Sequence, residues 1–159
     1  MTVSRDAILT AVAALMHHRF SVTGERDKSF DGIAVDLYLP APLNCIVQFD
    51  DARHCTRQRA LTFANYPADA PLNFDVRRYR ADQEAGDTEL ARQDVLIDLM
   101  PAKHGLNPTV RIRHDEVAEL PGALAERIES ILAHRFAYHA GTTFHLMLEN
   151  AGAKPHRTL

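Results

Sequence analysis

The chemistry-bearing residues of this chain crowd into one short stretch. Asp36, Gln48, Asp50 and His54 lie within residues 33–59, interleaved with Arg53, Arg57 and Arg59. Two carboxylates and an amide oxygen on one face suit a hard divalent cation such as Mg²⁺, which keeps several waters and takes only one or two protein carboxylates. Zinc would ask for a closer set of His and Cys ligands, such as a Cys-x-x-Cys pair, which the chain lacks. His54, four residues after Asp50, is placed for general acid or base work beside a bound water. The arginines suit bidentate contacts with phosphate oxygens. The same residues also have a plainer reading. A half-exposed antiparallel hairpin carries one polar face as a matter of course, and Asp36 beside Arg59 would then be a surface ion pair of little energetic weight.

Convergence of these side chains depends on the elements that carry them. Residues 33–39 alternate with period two, the run 40–44 breaks them with two prolines, and residues 45–49 begin a second strand. Folded back as a hairpin, Asp36 faces Gln48, Ala34 faces Asp50 and Tyr38 faces Ile46, so Asp36, Gln48 and Asp50 share one patch. Ile33, Val35, Leu37, Val47 and Phe49 then line the other face, and a one-residue slip would scatter the set.

Around this hairpin the spacing predicts a Ser4-capped helix with Ile8, Val12, Leu15, Met16 and Phe20 on its apolar side, and a helix from Thr56 through Asn65. Another helix is expected from Thr88 to just before Pro101. A strand should follow over residues 109–113, then a long helix entered at Pro121 and closed by Gly141. Residues 68–87 fit a short strand or a flap, and a short apolar piece at 144–148 precedes a polar tail. The order of elements reads as one mixed α/β or α+β domain.

The 159 residues, net charge of −3, 46% hydrophobic and 25% charged content exclude a disordered chain, a coiled coil and a collagen-like fibre. A mildly acidic chain is a poor general polyanion binder, so nucleic-acid contacts need a local basic rim or a second subunit. No run of residues is long enough to span a bilayer, and the N-terminal residues do not read as a signal peptide. A cytoplasmic protein with reduced thiols is expected. Cys45 reads as a small buried hydrophobe. Cys55, beside His54 and arginines, is a candidate nucleophile lacking a recognisable third partner. His17, His18, His134 and His139 read as ordinary helical or surface histidines. Arg77, Arg78 and Arg80 suit a solvated turn or a nucleic-acid backbone, and Asp94 and Asp98 read as exposed charge on the polar face of a helix.

The runs Val35-Asp36-Leu37-Tyr38-Leu39-Pro40 and Cys45-Ile46-Val47-Gln48-Phe49-Asp50-Asp51-Ala52-Arg53-His54 resemble the core of the PD-(D/E)XK nuclease superfamily, in its very-short-patch-repair-like endonuclease branch. Gln93-Asp94-Val95-Leu96-Ile97-Asp98-Leu99 and Val110-Arg111-Ile112 resemble that branch's following helix and strand, with its Asp and Arg. The likeness covers roughly residues 30–114 and rests on short motifs.

It implies a restriction-endonuclease-like core, with a mixed sheet containing a central β-hairpin flanked by helices, and metal-dependent phosphodiester hydrolysis of DNA. Asp36 would be the first ligand of Mg²⁺ or Mn²⁺. Asp50 would supply a second carboxylate near the usual Lys position, and the Phe49 carbonyl a further ligand. His54 would assist water or the leaving group, and Arg53, Arg57 or Arg59 would offset phosphoryl charge. A homodimer is compatible with these expectations. The chain departs from the family at Gln48, which stands where the second acidic residue belongs, and it lacks the family's Lys. The alternative is a catalytically inactive module of the same fold that binds nucleic acid or protein, or an unrelated domain whose hairpin matches by chance.

Overall fold

The computed structural model describes residues 3–74, 76–79 and 88–137. Helix α1 (Arg5–Phe20) starts where the Ser4 hydroxyl accepts the Ala7 N–H at 3.2 Å. It stops at Ser21, whose left-handed backbone lets its N–H reach the His17 carbonyl. Four short strands follow: β1 (Glu25–Arg26), β2 (Ser29–Phe30), β3 (Ile33–Ala34) and β4 (Leu37–Leu39). Then come β5 (Cys45–Asp50), a 3₁₀ turn (Ala52–His54), α2 (Arg57–Phe63), a second 3₁₀ turn (Val76–Arg78) and α3 (Thr88–Lys103). Strand β6 (Asn107–Arg113), α4 (His114–Glu119) and α5 (Leu124–Ala137) complete the order.

Four strands form a mixed sheet in the order β1-β4-β5-β6. The first three are antiparallel, and β6 lies parallel to β5 after the crossover through α2 and α3. β2 and β3 make a separate two-stranded sheet. The fold is thus mixed α and β with helices flanking the sheets. Among the described residues no helix is long and apolar enough to cross a membrane.

The hairpin register is the expected one: Leu37 opposes Val47, Tyr38 opposes Ile46 and Leu39 opposes Cys45. The single strand expected over 33–39 is instead cut in two. Asp31 and Gly32 both take positive φ in the tight β2–β3 turn, Val35 N–H bonds the Lys28 carbonyl at 2.9 Å, and Asp36 N–H bonds the Gln48 side chain. This break redistributes the apolar set. Leu37, Leu39, Val47 and Phe49 pack with Ile8, Leu9, Val12 and Met16 of α1 and with α5, whereas Val35 and Ile33 join Ile46, Ile97 and Met100. Every residue of β5 is consequently buried, and the polar hairpin face expected at the surface is covered by α3.

Two helix ends also differ from the sequence reading. α3 runs through Pro101, because the Ile97 carbonyl that a proline at this position cannot satisfy accepts the Thr109 hydroxyl at 2.8 Å. Pro121 lies in a break between α4 and α5, where Gly122 has positive φ and the Glu126 carboxylate accepts the Ala123 N–H at 3.0 Å. The proposed close at Gly141, the apolar piece at 144–148, Arg80 and His139 fall outside the described residues.

Leu39 is fully buried between the sheet and α1. Leu39→Ala should destabilise the protein by about 2–5 kcal/mol in urea unfolding, through lost transfer energy and the cavity left behind.

Candidate functional site

Strand β5 ends at Asp50, and the chain turns at once. Asp51 accepts the Arg53 N–H at 2.9 Å and fixes the 3₁₀ turn that carries His54 back toward α3. Thr56 then caps α2, accepting the Arg59 N–H at 3.1 Å, so Arg59 enters the interior one turn later. From the opposite side α3 presents Asp94 and Asp98, one helical turn apart, and β6 contributes Arg111 between the apolar Val110 and Ile112.

Arg111 is fully buried and divides its guanidinium among three carboxylates. Nη1 donates to Asp50 Oδ1 at 2.5 Å and Nε to Asp98 Oδ1 at 2.6 Å, while Nη2 lies 3.1 Å from Asp94 Oδ1. Arg59, also fully buried, donates from Nη2 to Asp98 Oδ2 at 2.6 Å and from Nη1 to the Tyr66 hydroxyl at 2.7 Å. His54 Nδ1 lies 2.9 Å from Asp94 Oδ2, and Tyr79 donates its hydroxyl to Asp50 Oδ2. Aromatic rings close the outside: Phe63 stands 4.4 Å from the Arg59 guanidinium, Phe74 5.7 Å from that of Arg111, and Tyr79 4.8 Å from that of Arg113.

The charges explain why such a cluster tolerates burial. Three aspartates face two arginines, and a protonated His54 supplies the third positive charge. Burial would push Asp94 up, but Arg111, His54 and Arg59 outweigh it and hold the carboxyl at about 2. Burial likewise opposes the charge on His54, yet the Asp94 hydrogen bond and the charges of Asp50 and Asp94 raise it above its ordinary value. For Asp50, burial dominates and pushes the carboxyl up, against the pull of Arg111 and His54. Since Asp94 is ionised, it is the acceptor, and His54 Nδ1 carries the proton between them.

Asp50, His54 and Asp94 each bring one ligand atom within 4.8 Å of the others, so this buried group could hold a metal ion. The donor set is two carboxylates and one imidazole. That mixture suits a cation that accepts nitrogen, such as Mn²⁺, better than Mg²⁺, which prefers oxygen and retained waters. A further carboxylate lies near the far ring nitrogen, beyond hydrogen-bond distance. With Nδ1 turned to a cation the ring proton sits on Nε2, which lies 4.0 Å from the Asp51 carboxylate.

The residues singled out from sequence divide as follows. Asp50 and His54 join this group, and Asp36 does not. One Asp36 oxygen accepts from Arg5 of α1 and the other accepts the Phe49 N–H at 2.7 Å. Gln48 acts as a strut, its side-chain oxygen accepting the Asp36 N–H at 3.1 Å. Phe49 packs its ring with the core beneath α1. Arg53 is exposed and paired with Asp51 at 2.8 Å, and Arg57 is exposed, but Arg59 is enclosed by Asp98, Tyr66 and Phe63 and does not face solvent. Asp36 is therefore no surface partner of Arg59. Cys45 is buried as expected, its thiol pushed up to about 12, and Cys55 is also buried, with its sulfur 3.9 Å from the Asp51 carbonyl.

The reading of Asp94 and Asp98 as exposed charge is corrected. They are 1% and 2% exposed, because Arg111 and Arg59 lie opposite them. The signal was an arginine flanked by Val110 and Ile112 in a buried strand, which requires carboxylates at the same depth.

Comparison with protein-family models, with curated proteins and with solved structures gives no match.

In the absence of divalent cations, the raised His54 contributes stability that is complete below its ordinary value of 6.5 and is lost as pH rises through its folded value. Denaturant unfolding in a chelating buffer should show stability falling with rising pH across that window. In His54→Gln this slope should vanish.

Proposed function

We propose that this chain is a nuclease-like hydrolase of the PD-(D/E)XK type that acts on DNA phosphodiesters with a divalent cation, Mn²⁺ or Mg²⁺, held by Asp50, His54 and Asp94. The observation that carries the reading is the meeting of the hairpin with the helix and strand that follow it. Asp50 and His54 from the first motif stand against Asp94 and Arg111 from the second, although 40 residues separate His54 from Asp94. A chance likeness of short motifs gives no reason for the two halves to share one charge cluster.

The cation, once bound, would polarise the scissile phosphate and activate a water. The protein's part is positioning. Asp51 fixes the turn that carries His54, Arg111 fixes the carboxylates of Asp50 and Asp94, and exposed Arg53 and Arg57 flank the turn where phosphate oxygens would arrive. The site has moved relative to the family pattern. Gln48 holds the hairpin together, and the second carboxylate comes from α3.

A second reading has its own support. The arginines and a protonated His54 already neutralise the three aspartates, so the cluster stands without a cation, as a silent binding module of the same fold would require.

Titration with Mn²⁺ and a plasmid-nicking assay separate the two. The hydrolase reading expects Mn²⁺ binding, nicking that depends on it, and loss of at least about tenfold in Mn²⁺ affinity for Asp94→Asn. Salt-sensitive DNA binding with neither Mn²⁺ uptake nor nicking would establish the silent module. A DNA affinity that does not respond to salt would remove DNA as the partner.

A further inference from the structure

Away from the arginine cluster, α4 and α5 enclose a half-open cavity of about 220 Å³. α4 ends at Glu119, the chain turns through Pro121 and Gly122, and α5 sets off at Leu124, so the two helices face each other across a short break. Ile131 and Arg135, one turn apart on α5, line one wall, and Glu116 and Leu120, four residues apart, line the other. Ile131, Arg135 and Glu116 are buried and form the floor. Glu119 and Ser130 are exposed and stand at the rim.

The floor carries a guanidinium with an arm to spare. Arg135 is only 7% exposed. Its Nη2 donates to Glu116, whose other oxygen accepts the Arg113 N–H at 3.2 Å, and its Nε lies 3.5 Å from the Arg111 carbonyl, at the outer limit of a hydrogen bond. Nη1 has no partner among the described residues, and it is not sealed inside the protein. A guanidinium buried this deeply ordinarily has its donors matched, so a spare donor on a cavity wall calls for an acceptor from outside.

The surrounding charges narrow what that acceptor belongs to. Glu116 already neutralises Arg135, and Glu119 adds a negative charge at the rim, so a phosphate or dicarboxylate would meet like charge. A zwitterion meets opposite charge at both ends. Its carboxylate takes Arg135 Nη1 and the Ser130 hydroxyl, and its ammonium faces Glu119, since a carboxylate accepts several donors at once. Leu120 and Ile131 offer an apolar wall, and the volume lies below the roughly 300–1,000 Å³ of pockets for drug-sized ligands, which limits the guest to a small one.

We infer that the cavity between α4 and α5 binds a small zwitterion, a free amino acid with a short apolar side chain, through Arg135, Ser130 and Glu119. This site is independent of the cation group, and either can be absent without the other.

The test is calorimetric titration of the full chain with L-leucine and L-valine. Two analogues of leucine serve as controls: 4-methylpentanoate, which lacks the ammonium group, and 3-methylbutylamine, which lacks the carboxylate. Ser130→Phe fills the mouth from an exposed helix position, and Glu119→Gln removes the charge that faces the ammonium, with circular dichroism confirming that each variant is folded. Arg135 stays in place, because its removal would strand buried Glu116. The inference requires saturable binding of at least one of the two amino acids, with both analogues and both variants weaker by at least about tenfold. No saturable binding of either amino acid, an analogue that binds as tightly, or binding unchanged in folded Ser130→Phe or Glu119→Gln would overturn it. The comparison with the analogues needs no variant, so it decides the matter even where a substitution prevents folding.

Discussion

One buried guanidinium organises this molecule. Arg111 enters the interior from β6 and meets a carboxylate from β5 and two from α3, so the parallel crossover, the rotation of α3 and the end of the hairpin are fixed by the same group. Burying an arginine is costly unless its donors are matched, and here three carboxylates from two separate elements supply the match. Removing one partner of such a pair typically costs about 3–5 kcal/mol, because the other charge is left unpaired in a dry interior. The apolar layers on either face of the sheet give the fold its stability. The arginine cluster excludes the alternatives, since α3 rotated by a residue or β6 slipped by one would bury aspartates against leucine or isoleucine.

The same cluster sets the chemistry. Asp94 is kept ionised by Arg111, His54 and Arg59, His54 is held toward its charged, protonated form by Asp94 and Asp50, and Asp50 is pushed toward its neutral, protonated form by its complete burial. Neighbouring groups driven in opposite directions are a common mark of functional sites, although structural ion-pair networks share it. In this protein the network is a buried ion-pair cluster that could hold a metal ion. It closes the core and presents two carboxylates and an imidazole within one small volume, beside a cluster of aromatic side chains from the end of α2 and the segment after it.

Much of the local structure is legible in the residues. Ser4 and Thr56 cap the helices they precede, the prolines near residue 41 separate two strands, and the β4–β5 register follows from alternation alone. The face assigned to Asp36 is not legible. Alternation assumes an unbroken strand, and the Asp31–Gly32 turn, with the Gln48 side chain replacing a backbone partner, resets the parity between Val35 and Leu37. The inward direction of Asp94 and Asp98 is hidden for a related reason. On a helix wheel they look like a solvated stripe, and only the depth of Arg111 and Arg59 reveals that the stripe faces the sheet. Pro101 misleads in the same way, because the group that compensates it, Thr109, lies on another element.

Tertiary pairing therefore decided which carboxylates meet, and the metal-capable group shares Asp50 and His54 with the sequence expectation while exchanging Asp36 for Asp94. The most direct measurement is an anomalous difference map from crystals of the protein soaked in Mn²⁺. The account predicts a single peak bonded by Asp50, His54 and Asp94. A peak seated on Asp36, or saturating Mn²⁺ that leaves the group without a peak, would contradict it.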